Sequence, residues 1–339
     1  MQVGRARAVA EAWVREHGES LLGFKGALLH GSILERADDA ELAATSDLDL
    51  LVVLDDPDAI RKPGKFRYRG VLLEVSVIAF DAVNAPATVL GTYNLAPSFR
   101  ANSVLADPTG VLATVQAEVA RHFADPEWID ARIAQAAEKV RNGFSVAPGV
   151  PLHAQVTSWL FATGVLCHVV LVGALRNPTV RTRYVATRAV LAEYGRLDDY
   201  ERLLELLGCA QWSAERTRAH LDALVPLFDT AADVIHSPLF FAADISADGR
   251  AVAIDGSREL IDAGLHREAV FWIVATWCRC LAVLEADGAG EQRDAFEPGF
   301  RALLADLDSA SEHDLARRRE ATVSALEWVE SLAREIAGI

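Results

Sequence analysis

Cationic side chains are in short supply in this 339-residue sequence: 33 Lys and Arg face 48 Asp and Glu, a formal charge of −15. A field of that sign repels polyanions unless a local basic patch overrides it, so long nucleic acid is disfavoured as a partner. Acidity is also the ordinary composition of a cytoplasmic protein, and by itself it decides little. Cysteine is scarce. Cys167, Cys209, Cys278 and Cys280 form no C-x-x-C pair and have no histidines at zinc-ligand spacing, which argues against a zinc site and fits a reducing compartment. Cys278-x-Cys280 falls in the apolar stretch 271–284 and reads as part of a packed helix. The first twenty residues carry Arg, Glu and His throughout and lack the apolar run of a secretory signal, so export is not expected. Residues 156–175 contain no Asp, Glu, Lys or Arg. However, Thr157, Ser158, Thr163 and His168 interrupt them and no second span follows, which reads as a central core helix and implies no membrane partner. There is no internal repeat and no low-complexity tract.

At 51% apolar residues the chain has ample material for a core, and its length suggests two domains. The composition changes near 105–125, from short β-rich runs punctuated by Gly, Pro and Asp to long Ala/Leu/Arg/Glu segments of helical length. The expected fold class is therefore α+β. A mixed β-sheet with flanking helices occupies about 1–125, and an all-α helical bundle follows at 126–339, with the active site in the cleft between them.

In the first half, a helix is expected around 9–13, a buried strand at 24–29 runs into His30-Gly31-Ser32, and a second strand carries Leu48 to Val53. Side chains alternate along a strand, so Asp47, Asp49, Leu51 and Val53 share one face of it. Residues 65–80 predict two strands joined at Arg69-Gly70, the later one with Leu72, Glu74, Ser76 and Ile78 on a common face. Turn chemistry at 105–110 leads into helices at 111–123 and from Pro126 to about Asn142. Pro148 and Pro151 precede the apolar helix, which Asn177-Pro178 ends. Further helices are expected at 179–194, 198–207, 214–235, 257–286, 292–308 and 312–337, with a loop or short hairpin at 240–255.

The chemistry concentrates in three ordered pieces: Leu29-His30-Gly31-Ser32, Ser46-Asp47-Leu48-Asp49-Leu50-Leu51-Val52-Val53, and Leu72-Leu73-Glu74-Val75-Ser76-Val77. Carboxylates buried side by side raise one another's pKa and pay a desolvation cost, so a cation is the usual compensation. Hard oxygen ligands select Mg²⁺ or Mn²⁺, and Mg²⁺ binds through a few carboxylates plus substrate phosphates, which implies a nucleoside triphosphate as co-ligand. Gly31 lets the backbone approach a phosphate, and Ser32, expected at a helix N-terminus, adds its hydroxyl and N–H. Asp47 and Asp49 would grip one metal, while a second, shared with Glu74, would activate the attacking hydroxyl. Asp55 and Asp56 read as solvation of a strand end. Glu74 could instead face solvent, in which case Asp81 is a poorer substitute.

On these residues the sequence resembles the polymerase-beta-like nucleotidyltransferase superfamily, whose motif is an apolar residue, Gly, Gly or Ser, a spacer, then Asp-apolar-Asp/Glu-apolar, with a later strand carboxylate. The match covers roughly residues 24–80. The two-half layout is most similar to the aminoglycoside nucleotidyltransferase type with a C-terminal helical domain. The stretch 33–46, carrying Asp38, Asp39 and Glu41, is longer than the pattern and reads as a loop insertion.

The resemblance implies a catalytic and metal set of Asp47, Asp49 and Glu74, nucleotide contacts from Gly31, Ser32 and Ser46, and transfer of AMP from ATP to a hydroxyl of a small molecule such as an aminoglycoside-like antibiotic. The triphosphate also needs basic groups: Arg181 and Arg183 come first, with Lys139, Arg141 and Arg188 behind them. Two rival readings stay open, namely a toxin-like enzyme acting on a protein or tRNA end, and a catalytically silent nucleotide-binding module. The metal reading fails if Glu74 lies across the sheet from the two aspartates, or if a salt bridge permanently fills the space between them.

Overall fold

The computed structural model describes residues 1–144 and 149–339. Pro148, expected ahead of the apolar helix, lies outside the described residues. The chain divides into two compact units, Met1–Gln135 with Leu175–Thr179 and Ala337–Ile339, and Ala136–Ala174 with Val180–Ile336.

The first unit is built on a five-stranded mixed sheet of order β3-β4-β2-β1-β5. Its strands are β1 (Phe24–His30), β2 (Leu48–Leu54), β3 (Gly64–Tyr68), β4 (Val71–Ala79) and β5 (Val104–Ala106). β2 and β4 run parallel, whereas β1 pairs with β2 and β5, and β3 with β4, in antiparallel fashion. The β3–β4 hairpin closes at Arg69 and Gly70, both at positive φ, a two-residue turn matched to the strand twist.

Alternation divides each strand between two cores. Ala27, Leu29, Leu48, Leu50, Val52, Leu73 and Val75 bury one face together with Val3, Ala6, Ala10 and Trp13 of helix α1 (Val3–Glu16). Leu28, Leu51, Val53 and Ile78 pack on the other, under α2 (Pro86–Leu90), α3 (Ala96–Arg100) and α4 (Val111–His122). Neither short helix, nor β5, is apparent from periodicity, because each is too brief to complete a pattern. The stretch 33–46 is fastened to α1: Val3 and Gly4 N–H donate to the Ala40 and Asp38 carbonyls, and Arg7 pairs with Asp38 at 3.0 Å.

Helix α5 (Pro126–Asn142) leads into the second unit. That unit contains α6 (Leu152–Gly173), α7 (Arg183–Glu193), α8 (Leu197–Leu207), α9 (Ala214–Val234), α10 (Ala247–Arg250), α11 (Gly256–Asp262), α12 (His266–Ala286), α13 (Gly290–Asp306), α14 (Glu312–Ser324) and α15 (Leu326–Ala337). α12 packs against α6, α9, α11 and α13. Contrary to the expectation that no second such stretch follows, both α6 and α12 are long and apolar enough to cross a membrane, yet 83% of each apolar window is buried inside the protein. All four cysteines are buried and unbridged; burial pushes the Cys278 thiol up to about 12.

The expected loop or hairpin at 240–255 is instead short helical turns, ending in a π-helical stretch, Ala251–Asp255, that runs on into α11. The single helix expected at 257–286 is two, broken at Gly264, whose φ of +76° suits a left-handed cap. That expected at 312–337 is likewise two, separated by Ala325.

Candidate active site

Strand register sets out the site. His30 on β1 stands opposite Asp49 on β2, Asp49 opposite Glu74 on β4, and Glu74 opposite Lys65 on β3. Directly opposed residues project to the same face, so these four side chains form a row across the sheet. Asp47, two residues before Asp49, adds a third carboxylate on that face. Glu74 therefore lies on the same side as the aspartates. Asp47, Asp49 and Glu74, all half-buried, each offer an oxygen within 4.8 Å of the others. Among the described residues this is the one group of acidic, histidine or cysteine side chains close enough to hold a metal ion.

A cation of the chain's own reaches into the group. Lys65 Nζ is 2.6 Å from Asp47 Oδ2 and 3.1 Å from Glu74 Oε2, and its side chain is only 2% exposed. Lys62 Nζ approaches Glu74 Oε1 at 3.8 Å from a more exposed position. The salt bridge that would defeat the metal reading is therefore present in part: Lys65 fills the space between Asp47 and Glu74, and Asp49 is the third carboxylate of the group.

Gly31 follows β1 with φ +70°, a region that favours glycine, and a Cβ there would overlap Asp49 Oδ2. The backbone can therefore press against the carboxylate only because residue 31 has no side chain. Ser32 is exposed, and Ser46 is half-buried just before Asp47. The helix N-terminus expected at Ser32 is instead the 3-10 turn Gly31–Glu35, too short to carry a helix dipole of any size. Beneath it, His30 Nδ1 and Ser98 Oγ are hydrogen bonded at 2.6 Å, and desolvation pushes His30 down to about 4. Glu35 accepts a 2.8 Å hydrogen bond from the Asn177 N–H, and Arg100 donates to the Leu175 carbonyl at 2.6 Å. These two bonds fasten the segment Leu175–Thr179 beside the Gly31–Glu35 turn.

The residues suit a small hard cation. The donors are all oxygen, their spacing allows one ion to be shared, Gly31 leaves room for the Asp49 carboxylate, and Lys65 already places a positive charge there. Asp47, Asp49 and Glu74 would hold such an ion.

The expected phosphate cations belong to the second unit, where Arg183, Arg141 and Arg188 have partners. Arg183 is 2% exposed; its Nε donates to the Val180 carbonyl at 2.7 Å and its guanidinium lies 4.0 Å from the centre of the Phe271 ring. Its charge is taken up inside the helices. Arg181 is half-buried near Gly256, Arg141 pairs with Glu330 at 2.6 Å, and Arg188 approaches the buried Glu268 at 3.7 Å. Lys139 is exposed.

Sequence reasoning missed Lys65, the His30–Ser98 pair and the docking of Asn177. Only Lys65 left a signal: with the hairpin turn at Arg69-Gly70, alternation alone puts it across from Glu74.

No protein-family model and no curated protein matches the chain. Among solved structures, it is similar to a nucleotidyltransferase-like protein from Exiguobacterium sibiricum 255-15, at 11% identity over 92% of this chain and 91% of that one. The TM-score is 0.29, and a superposition at that score decides nothing about this chain's fold or chemistry.

Proposed function

We propose that this chain is a metal-dependent nucleotidyltransferase that moves a nucleoside monophosphate, AMP from ATP, onto a hydroxyl of a small-molecule acceptor in the cytoplasm. One observation carries the reading: Asp47, Asp49 and Glu74 bring their oxygens within 4.8 Å of one another on one sheet face, beside a glycine that cannot carry a side chain. Like charges so close are unfavourable unless a cation is drawn to them. Mg²⁺ or Mn²⁺ bound there supplies charge neutralisation for the triphosphate and the departing pyrophosphate.

The chain's own groups bind and orient. Gly31 and Ser32 offer backbone and hydroxyl contacts to phosphate, and Ser46 borders Asp47. The acceptor oxygen attacks the α-phosphorus, the bond to the β-phosphate oxygen breaks, pyrophosphate leaves, and the hydroxyl proton passes to solvent. Catalysis of this kind rests on positioning and charge, and needs no covalent nucleophile.

The test is incubation with Mg²⁺ or Mn²⁺, α-labelled triphosphates and a panel of hydroxyl-bearing small molecules that includes aminoglycosides, with cell lysate as a second arm. Label on a small molecule with release of pyrophosphate is expected. Label only on protein or tRNA would move the acceptor to a macromolecule, and transfer to nothing would overturn the reading. The second reading, a silent nucleotide-binding module, draws on the Lys65 ion pair, which already neutralises part of the cluster. It is favoured if triphosphate binds tightly without turnover.

A further inference from the structure

The notable partner of the carboxylates is Lys65. β3 lies at the edge of the sheet, where a lysine ordinarily runs its stem along the surface and keeps its ammonium in water. Lys65 does the opposite: its side chain is 2% exposed and ends between Asp47 and Glu74. Withdrawing an ammonium from water costs several kcal/mol, which only close and well-directed negative charge offsets. Inward-pointing charges do protect sheet edges from pairing with other chains. That role, however, needs no contact with two carboxylates of a metal cluster.

The local charge makes the consequence specific. Lys65 lies between two of the carboxylates and Lys62 stands 3.8 Å from Glu74, so part of the negative charge is already met, and a second divalent ion would add repulsion to whatever one ion leaves. Two-ion sites hold their ions roughly 3.5–4 Å apart. An ammonium bridging Asp47 and Glu74 sits where a second ion shared by those residues would have to lie. We propose that Lys65 is the resident cation of the site, standing in place of a second divalent ion so that the cluster takes one metal, on the Asp47 and Asp49 side. This revises the expectation of a second metal shared with Glu74, and it rests on the metal-dependent reading above. Lys65 acts here through the carboxylates it holds, as a positioning residue.

The test is titration of the full chain with Mn²⁺ alone, with free ion followed by electron paramagnetic resonance and melting temperature in parallel. Wild type is expected to bind one Mn²⁺ per chain. Lys65→Met, of similar length but uncharged, is expected to bind two, the first about tenfold more tightly because a competing positive charge is gone. Its melting temperature should also rise more with Mn²⁺ than that of wild type. Lys65→Arg keeps the charge and should stay at one. If Lys65→Met folds only when Mn²⁺ is present, that too supports the proposal. If it folds under neither condition, Lys65→Gln carries the same expectation of two ions.

Two ions bound to wild type, or one ion bound to both uncharged variants, overturns the role of Lys65 and leaves the nucleotidyltransferase reading intact. No Mn²⁺ bound by any form overturns both.

Discussion

Asp49 and Glu74 stand opposite one another across the parallel pair β2 and β4, on the face that also carries Lys65 and His30. Two strands separated by residues 55–70 thus bring like charges together on one face of a sheet. Neutralising one of them should separate function from stability. Asp49→Asn is expected to lower transfer by roughly 10²–10³-fold, the scale on which loss of a charge-stabilising group is felt. Its melting temperature should change little, because the amide keeps the shape and a hydrogen-bonding group at that position while relieving repulsion from Glu74. Turnover and a thermal melt on the same preparation check both halves, and a large drop in melting temperature would mean that Asp49 is chiefly structural.

Gly31 makes a sharper probe, since it touches the cluster through its backbone alone. Gly31→Ala forces an L-residue to φ +70°, at about 1–2 kcal/mol, and drives a methyl group into Asp49 Oδ2. The expected outcome is a melting temperature lower by a few degrees and Mn²⁺ affinity weakened by tenfold or more. Unchanged Mn²⁺ affinity would show that Asp49 can move aside without consequence to the ion.

The strands of the site were legible because their signals are local. Alternation through Asp47, Asp49, Leu51 and Val53, and through Leu72, Glu74, Ser76 and Ile78, assigns faces without knowledge of partners. Lys65 was legible only in part: the turn at Arg69-Gly70 sets it opposite Glu74, but its contact with Asp47 depends on the β2–β4 pairing, which no local signal gives. The Glu35–Asn177 bond joins residues 142 apart, and Asn177-Pro178 read only as the end of a helix. The break at Gly264 did carry a signal, a glycine suited to a left-handed cap, but the apolar run on either side of it looked continuous. At 240–255, neither period is sustained, and the short turns form around the packing of Ile245, Val252 and Ile254.

Arg183 separates a phosphate contact from a core residue. Its guanidinium is buried over Phe271 and bonded to the Val180 carbonyl, so Arg183→Met should cost roughly 1–3 kcal/mol through an unsatisfied carbonyl and a lost cation–π contact. A lower melting temperature with an unaltered KM for triphosphate in the folded protein is the expected pair of results. An unaltered melt with a raised KM would instead return Arg183 to the nucleotide.

Acid should find a weak point beside the cluster. Desolvation holds His30 at about 4, against 6.5 for the unperturbed ring. Between those values the unfolded chain takes up a proton that the folded one refuses, and proton uptake by the unfolded state favours unfolding. The contribution of His30 is therefore complete above pH 6.5 and is lost progressively as pH falls towards 4, with a slope of at most about 1.4 kcal/mol per pH unit. His30→Asn keeps a polar group near Ser98 and cannot titrate. Denaturant melts of both forms from pH 7 down to 4 should show a shallower acid limb in the variant, and parallel limbs would mean that His30 takes up its proton equally in both states.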